Sequence, residues 1–312
     1  MRVLAGDIGG THTRLALVEI GRAAARVLMD RTVPSHSAPS LAPLIVDFLR
    51  VLPDRAERAC FGIAGPVVGG MVRATNLPWT IEARTLGAAI GIPDTSLIND
   101  FEAVGYGIPL LAPQELVTLQ AGEPVERGPI AVLGAGTGLG AGFLLWEAGG
   151  YRVHPSEGGH ASFAAQTPRE LALLAFLAKR YEHVSCERVL SGPGLVAIFE
   201  SLAGRVDESA AISERALAGT DPAAVEALDL FAAAFGAAAG NLALTVLATG
   251  GVYLAGGIAP QIVAKLRDGT FMAAFRRKGR LAPVLERVPV RIVMSPDVGV
   301  LGAAAAAERR PG

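Results

Sequence analysis

The stretch Val3-Leu4-Ala5-Gly6-Asp7-Ile8-Gly9-Gly10-Thr11-His12-Thr13-Arg14-Leu15-Ala16-Leu17-Val18-Glu19 decides how this chain folds. An apolar run enters a glycine turn, and such turns often precede a phosphate-binding helix. After Gly10, however, Leu15, Ala16, Leu17 and Val18 run apolar with no polar helical face before Glu19, and Thr11 and Thr13 add β-propensity. The turn therefore joins two strands. That disfavours a dinucleotide-binding crevice, where a helix must follow. The stretch also lacks the Lys-Ser/Thr ending of a P-loop.

The same design recurs at Ala131-Val132-Leu133-Gly134-Ala135-Gly136-Thr137-Gly138-Leu139-Gly140-Ala141-Gly142-Phe143-Leu144-Leu145-Trp146-Glu147, which lies over Val3–Glu19 without a gap. Two such hairpins predict a duplicated sheet domain with the two glycine turns facing each other. Chance likeness between two glycine-rich hairpins stays open as the alternative. Apolar spacing predicts helices over Leu41–Leu52, Thr80–Ile90, Pro168–Tyr181, from Pro193 onward, Pro222–Leu247 and Gly299–Arg309. Strands are expected at 59–64, 96–98, 252–255 and 290–294, whereas 101–107 reads as a poor, glycine-broken helix. Alternation of this kind indicates α/β layers.

Composition narrows the function classes. The chain has 312 residues, 51% of them hydrophobic, and a formal net charge of −1. A near-neutral chain lacks the broad basic footprint of a nucleic-acid binder. Cys60 and Cys186 fit no metal or disulfide spacing, and a reducing cytoplasm suits such a chain. Asp7 arrives too soon for a signal-peptide core. No charged residue lies between Asp229 and Lys265, a length that reaches bilayer thickness, but Asn241, two glycine pairs and Pro260 interrupt it. A buried helix followed by a buried strand is expected there, and no membrane partner.

Several groups are candidates for chemistry. Glycine turns expose backbone N–H groups that bind anions, phosphates above all. Opposed turns with hydroxyls at Thr11 and Thr137 suit a polyphosphate, although either turn alone reads as an ordinary hairpin. Asp7 is a candidate to hold a water of a bound Mg²⁺. Asn99-Asp100 ends a predicted strand, where α/β sheets place ligands, and an Asp there can take a proton from a hydroxyl. An Asx cap for the next helix is the competing reading. Ser156-Glu157-Gly158-Gly159-His160 sets an acid and an imidazole on one loop, a set able to bind sugar hydroxyls. Taken alone, Glu187 reads as a helix-surface residue, and Ala255-Gly256-Gly257-Ile258 as either a close-packed helix start or a flat surface for a nucleobase.

Eight motifs in order resemble the bacterial ATP-dependent glucokinases, of the hexokinase branch of the actin-like ATPase superfamily. They are Gly6-Asp7-Ile8-Gly9-Gly10-Thr11, Gly62-Ile63-Ala64-Gly65-Pro66, Thr75-Asn76-Leu77-Pro78-Trp79, Ile98-Asn99-Asp100-Phe101-Glu102-Ala103, Gly136-Thr137-Gly138-Leu139-Gly140, Ser156-Glu157-Gly158-Gly159-His160, Glu187-Arg188-Val189-Leu190-Ser191-Gly192-Pro193-Gly194 and Ala255-Gly256-Gly257-Ile258. The resemblance implies a two-domain actin-like ATPase (ribonuclease H-like) α/β fold with an interdomain cleft. Residues 1–110 plus 298–312 would form the smaller domain and 111–297 the larger. It implies phosphoryl transfer from ATP, with Mg²⁺, to the 6-hydroxyl of glucose. Asn99, Asp100, Glu157, His160 and Glu187 would bind the sugar, with Asp100 as general base. Gly6, Asp7, Ile8, Gly9, Gly10 and Thr11 and the turn Gly136, Thr137, Gly138 would take the phosphates, and Gly256 and Gly257 would lie by the adenosine. A cytoplasmic homodimer is implied as well. A kinase of another hexose, a non-enzymatic sugar-responsive regulator and an actin-like filament protein are the rivals. Where the family usually has Asn-Ala-Arg after Thr11, this chain has His12-Thr13-Arg14, and the role of His12 stays open. The zinc-binding cysteine cluster of the related repressor–kinase group is missing, and no helix-turn-helix segment precedes residue 2.

Overall fold

The structure is a computed structural model that describes residues 1–21, 25–75 and 77–309. Asn76, inside the third motif, therefore lies outside the described residues. The chain divides into two compact units, Met1–Pro113 with Ser295–Gly312, and Gln114–Met294.

The first unit begins with β1 (Arg2–Ile8), β2 (His12–Ile20) and β3 (Ala25–Pro34), followed by α1 (Leu41–Leu49) and β4 (Arg58–Ile63). A small antiparallel sheet of β5 (Val67–Val68), β6 (Met71–Arg73) and β7 (Thr80–Glu82) leads into α2 (Ala83–Ile90), β8 (Thr95–Asn99) and α3 (Asp100–Gly107). The main sheet has the order β3-β2-β1-β4-β8. β1 to β3 run antiparallel, while β1, β4 and β8 are parallel.

Side chains on β1 alternate between two cores. Leu4 and Ile8 join Leu15, Phe48 and Phe61 on the α1 face. Val3 and Ala5 join Ala16, Val18, Cys60 and the alanine-rich C-terminal helix, Val298–Glu308, on the other. A strand covered on both faces needs apolar residues at every position, which is why this stretch lacks a two-residue polar alternation.

The second unit contains β9 (Leu116–Gln120), β10 (Ile130–Ala135), β11 (Leu139–Glu147) and β12 (Gly150–Ser156). Then come α4 (Pro168–Leu177), α5 (Gly192–Ala203), α6 (Ser209–Ala218), α7 (Pro222–Val246) and β13 (Gly251–Ala255). The unit finishes with α8 (Ile258–Gln261), α9 (Val263–Arg267), α10 (Thr270–Arg276), α11 (Ala282–Arg287) and β14 (Val290–Val293). Its sheet order is β12-β11-β10-β13-β14-β9. The first five strands repeat the order and sense of the first unit's sheet, so the duplication predicted from the hairpins extends to the whole sheet. α7 is long and apolar enough to cross a bilayer by composition, but 61% of its apolar stretch is buried. Gly236 and Gly240 let α10 approach its backbone, and Phe231, Phe235, Phe271 and Phe275 pack in sequence beside that contact.

The structure corrects four readings. The gapless overlay of the hairpins fails: Ile8 pairs with Thr13 across residues 9–12, whereas Ala135 pairs with Leu139 across residues 136–138. The first turn is one residue longer. Residues 80–82 are strand, not helix, because Ile81 is buried between two more open neighbours and pairs with β6. Segment 101–107 lies within a regular helix, α3. The helix predictions 41–52 and 168–181 overran, since α1 ends at Leu49 and α4 at Leu177.

Candidate active site

In the first unit, β1 delivers Gly6, Asp7 and Ile8 to the turn Gly9–His12. A Cβ on Gly6 would sit 2.5 Å from the Phe61 ring, so only glycine lets β1 pack on β4 here. Asp7 is half-buried. Burial, together with the charge of Asp100, pushes its pKa up to about 6, against a lowering from Arg14. Arg14 pairs opposite Asp7 across the hairpin. Its guanidinium donates to Asp30 Oδ2 at 2.9 Å, Asp297 Oδ1 at 2.6 Å and the Pro296 carbonyl at 2.7 Å. It thus fixes the start of the C-terminal helix. Two residues into that helix, a Cβ on Gly299 would lie 2.9 Å from Asp7 Oδ2.

Asn99 and Asp100 stand where β8 becomes α3. Asn99 Oδ1 accepts from Phe101 N at 2.9 Å and Glu102 N at 3.2 Å, while its Nδ2 donates to the Gly65 carbonyl at 3.2 Å. The cap explains why a glycine-rich segment is helical: two orphan N–H groups are satisfied at the first turn. Asp100 Oδ1 accepts from Phe101 N at 2.9 Å, which holds its carboxylate at the helix start. A Cβ on Gly62 would meet Ala103 at 2.9 Å and the Asp100 Cα at 3.5 Å, so that glycine gives α3 its close approach to β4.

In the second unit the turn Gly136-Thr137-Gly138 is closed by Gly136 N donating to the Gly138 carbonyl at 2.8 Å. Gly256, at φ +80°, would place a Cβ 2.5 Å from the Ala135 carbonyl, and a Cβ on Gly136 would lie 3.9 Å from Gly257 N. The two glycine clusters are therefore neighbours. Glu187 is not on a helix surface, because α5 begins only at Gly192. Its Oε2 accepts from Leu139 N at 2.9 Å, and its own N–H donates to the Gly159 carbonyl at 2.9 Å. His160 stands between two acids, with Nε2 3.8 Å from Glu157 Oε2 and Nδ1 3.9 Å from Glu187 Oε1. These separations exceed hydrogen-bond length, and polar groups so spaced can each turn to a hydroxyl.

Each unit thus gathers part of the predicted set. The first holds Gly6 through Thr11, Asn99 and Asp100. The second holds Glu157, His160, Glu187, the Gly136–Gly138 turn and Gly256–Gly257. Three further residues beside these groups were not singled out from sequence: Asp297, Gly299 and Ser35. Gly299 had a signal, a glycine in the first turn of an alanine-rich helix. Asp297 and Ser35 had none. Among the described residues, no group of three or more His, Cys, Asp or Glu side chains is placed to hold a metal ion. Neither Cys60 nor Cys186 is in a disulfide.

Comparison with known proteins assigns the chain. A family model described as Glucokinase matches residues 4–310. A glucokinase of Trichormus variabilis is 44% identical, over 98% of this chain and 99% of the relative. Among solved structures, a glucokinase from an Antarctic psychrotroph superposes with a TM-score of 0.88 at 35% identity, covering 99% of both chains. A ROK family glucokinase from Streptomyces griseus, solved with glucose and AMPPNP, shares the fold at a TM-score of 0.64 and 22% identity, over 99% of this chain and all of its own. The actin-like ATPase architecture and the kinase class follow from these matches, and this chain belongs to the glucokinase family.

Proposed function

We propose that this protein is a glucokinase that moves the γ-phosphoryl group of ATP to the 6-hydroxyl of glucose, giving glucose 6-phosphate and ADP. The match to glucokinases over nearly the whole chain carries the reading. The carboxylate held at the start of α3 agrees with it.

Asp100 is the proposed general base. It accepts the hydroxyl proton as the sugar oxygen attacks phosphorus in line. Phosphoryl transfer asks for alignment and charge stabilisation more than covalent help. The backbone N–H groups of the two glycine turns supply fixed positive dipoles for the phosphates. Glu157, His160 and Glu187 are proposed to bind sugar hydroxyls along with Asn99, and Gly256–Gly257 leave room for the adenosine. Asp7 fits a hydrated Mg²⁺: it is a half-buried carboxylate whose ionisation is opposed by burial and by Asp100, and a cation would relieve both. When bound, the ion neutralises phosphate charge. A cytoplasmic homodimer completes the proposal, and sedimentation of the purified protein tests its dimeric part.

The deciding experiment is ADP release from purified protein with a panel of hexoses. Glucose should give the highest kcat/KM. A larger value for mannose, fructose or an N-acetylated hexosamine would reassign the substrate. No sugar-dependent release would remove the activity.

A further inference from the structure

Ser35 lies outside every glycine motif and twenty-six residues beyond Gly9, yet it is bound to the first glycine turn at two places. Its N–H donates to the Thr11 carbonyl at 2.9 Å. Its Oγ donates to the Gly9 carbonyl at 2.7 Å. A serine hydroxyl has one proton, so the 3.0 Å contact between Ser35 Oγ and Thr13 Oγ1 has Thr13 as donor. Both side chains are fully buried. A buried relay therefore runs from Thr13 through Ser35 to Gly9.

The consequence follows from peptide geometry. In a planar trans peptide the C=O and the following N–H point in opposite directions. With the Gly9 and Thr11 carbonyls turned toward Ser35, the N–H groups of Gly10 and His12 are aimed away from it. Those are the donors an anion at this turn would meet. Gly9 and Gly10 have no side chains to resist a peptide flip between them. Gly9 N donates to the His12 carbonyl at 3.0 Å, but that bond leaves the Gly9–Gly10 peptide plane unfixed. The Ser35 hydroxyl reaches the Gly9 carbonyl and fixes it.

We propose that Ser35 is a positioning residue that holds the Gly9–Gly10 peptide in its phosphate-binding orientation. The inference rests on the reading of this turn as a nucleotide phosphate site. Ser35→Ala is expected to raise the Kd for ADP, measured by calorimetry, and the KM for ATP by about five- to tenfold, the scale of one hydrogen bond. The KM for glucose should stay within about twofold. Thr13→Val is the control. It removes a buried hydroxyl from the same relay but leaves the Ser35–Gly9 bond, so it should lower Tm while leaving the ADP affinity within about twofold. Should Ser35→Ala not fold, Ser35→Cys keeps the shape with a weaker donor and should shift the ADP affinity in the same direction.

A folded Ser35 variant that binds ADP like the parent overturns the proposal. So does Thr13→Val weakening ADP as much as Ser35→Ala, since that is a generic loss of packing. Thr11→Ala separates this failure from failure of the underlying reading. If Thr11→Ala weakens ADP and Ser35→Ala does not, only the role of Ser35 is lost. If neither does, the turn is not the phosphate site.

Discussion

Two carboxylates in the first unit have opposite demands. Asp100 has its Oδ1 held by the α3 backbone, and its proposed work is to take a proton. Asp100→Ala should lower kcat by about 10² to 10⁴-fold with the fold intact, the usual scale of a positioned base. Near-normal turnover in a folded variant would remove it from that role. Asp7 is held against its own preference, with a folded pKa of about 6 against an ordinary 3.8. A raised carboxyl pKa costs stability wherever both states are ionised, here above about pH 6. As pH falls from about 6 toward 3.8 the folded state takes its proton first, so the cost, on the order of 3 kcal/mol, is progressively removed. Asp7→Asn should therefore raise the Tm of the ligand-free protein near neutral pH and flatten its slope between pH 4 and 6, while impairing turnover with Mg·ATP. Calorimetry across pH reads the first effect, and an unchanged or lower Tm would contradict it. On the sugar side, Glu157→Gln should raise the KM for glucose more than that for ATP, because its neighbours are His160 and, through it, Glu187. Equal effects on both would count against that loop as a sugar site.

At the scale of elements, α3 and the C-terminal helix meet backbone to backbone. A Cβ on Gly302 would fall 1.7 Å from the Ala103 carbonyl, and one on Gly107 2.1 Å from the Val298 carbonyl. Gly302→Ala must push the helices apart. Overpacking of this kind costs about 1–3 kcal/mol or more, which should lower Tm by several degrees. Turnover should fall as well, since α3 starts at Asp100 and the C-terminal helix lies on Asp7. A variant with parental Tm and activity would show that the contact is not needed. These glycines also explain what the sequence hid. Gly107 looks like a helix breaker in an isolated segment, yet here it serves contact with Val298 of another helix, 191 residues further along the chain. Local propensity cannot report that. The strand–turn–strand character of residues 3–19 was legible because burial on both faces imposes a continuous apolar run. Thr80–Glu82 was misread because three residues are too few to show a period. Glu187 was misread because its partner, the Leu139 N–H, is forty-eight residues away.

At the scale of the molecule, the two sheets repeat one order of five strands, and the glycine hairpin lies at the same place in each. A period in sequence made that duplication visible, whereas the one-residue difference between the turns showed only in the pairing register. The proposed site inherits the division. Asp7, Asn99 and Asp100 belong to one unit, while Glu157, His160, Glu187 and the second glycine turn belong to the other. Neither unit carries both the proposed base and the proposed sugar loop. Water offers a hydroxyl to the γ-phosphate, but it lacks the several further hydroxyls that the proposed sugar residues would bind. If turnover needs residues of both units acting on one acceptor, ATP without sugar should be hydrolysed at no more than about 10⁻³ of the glucose-dependent rate, a gap of about 4 kcal/mol in barrier. On the same condition, a five-carbon analogue that lacks the reacting CH₂OH but keeps the remaining hydroxyls should raise that hydrolysis above the sugar-free level, because it would occupy the proposed sugar residues without supplying the acceptor oxygen. ADP release in the three conditions, no sugar, glucose and the analogue, measures this directly. Hydrolysis without sugar at a rate near that with glucose would mean that the second unit's acids and imidazole take no part in aligning the acceptor.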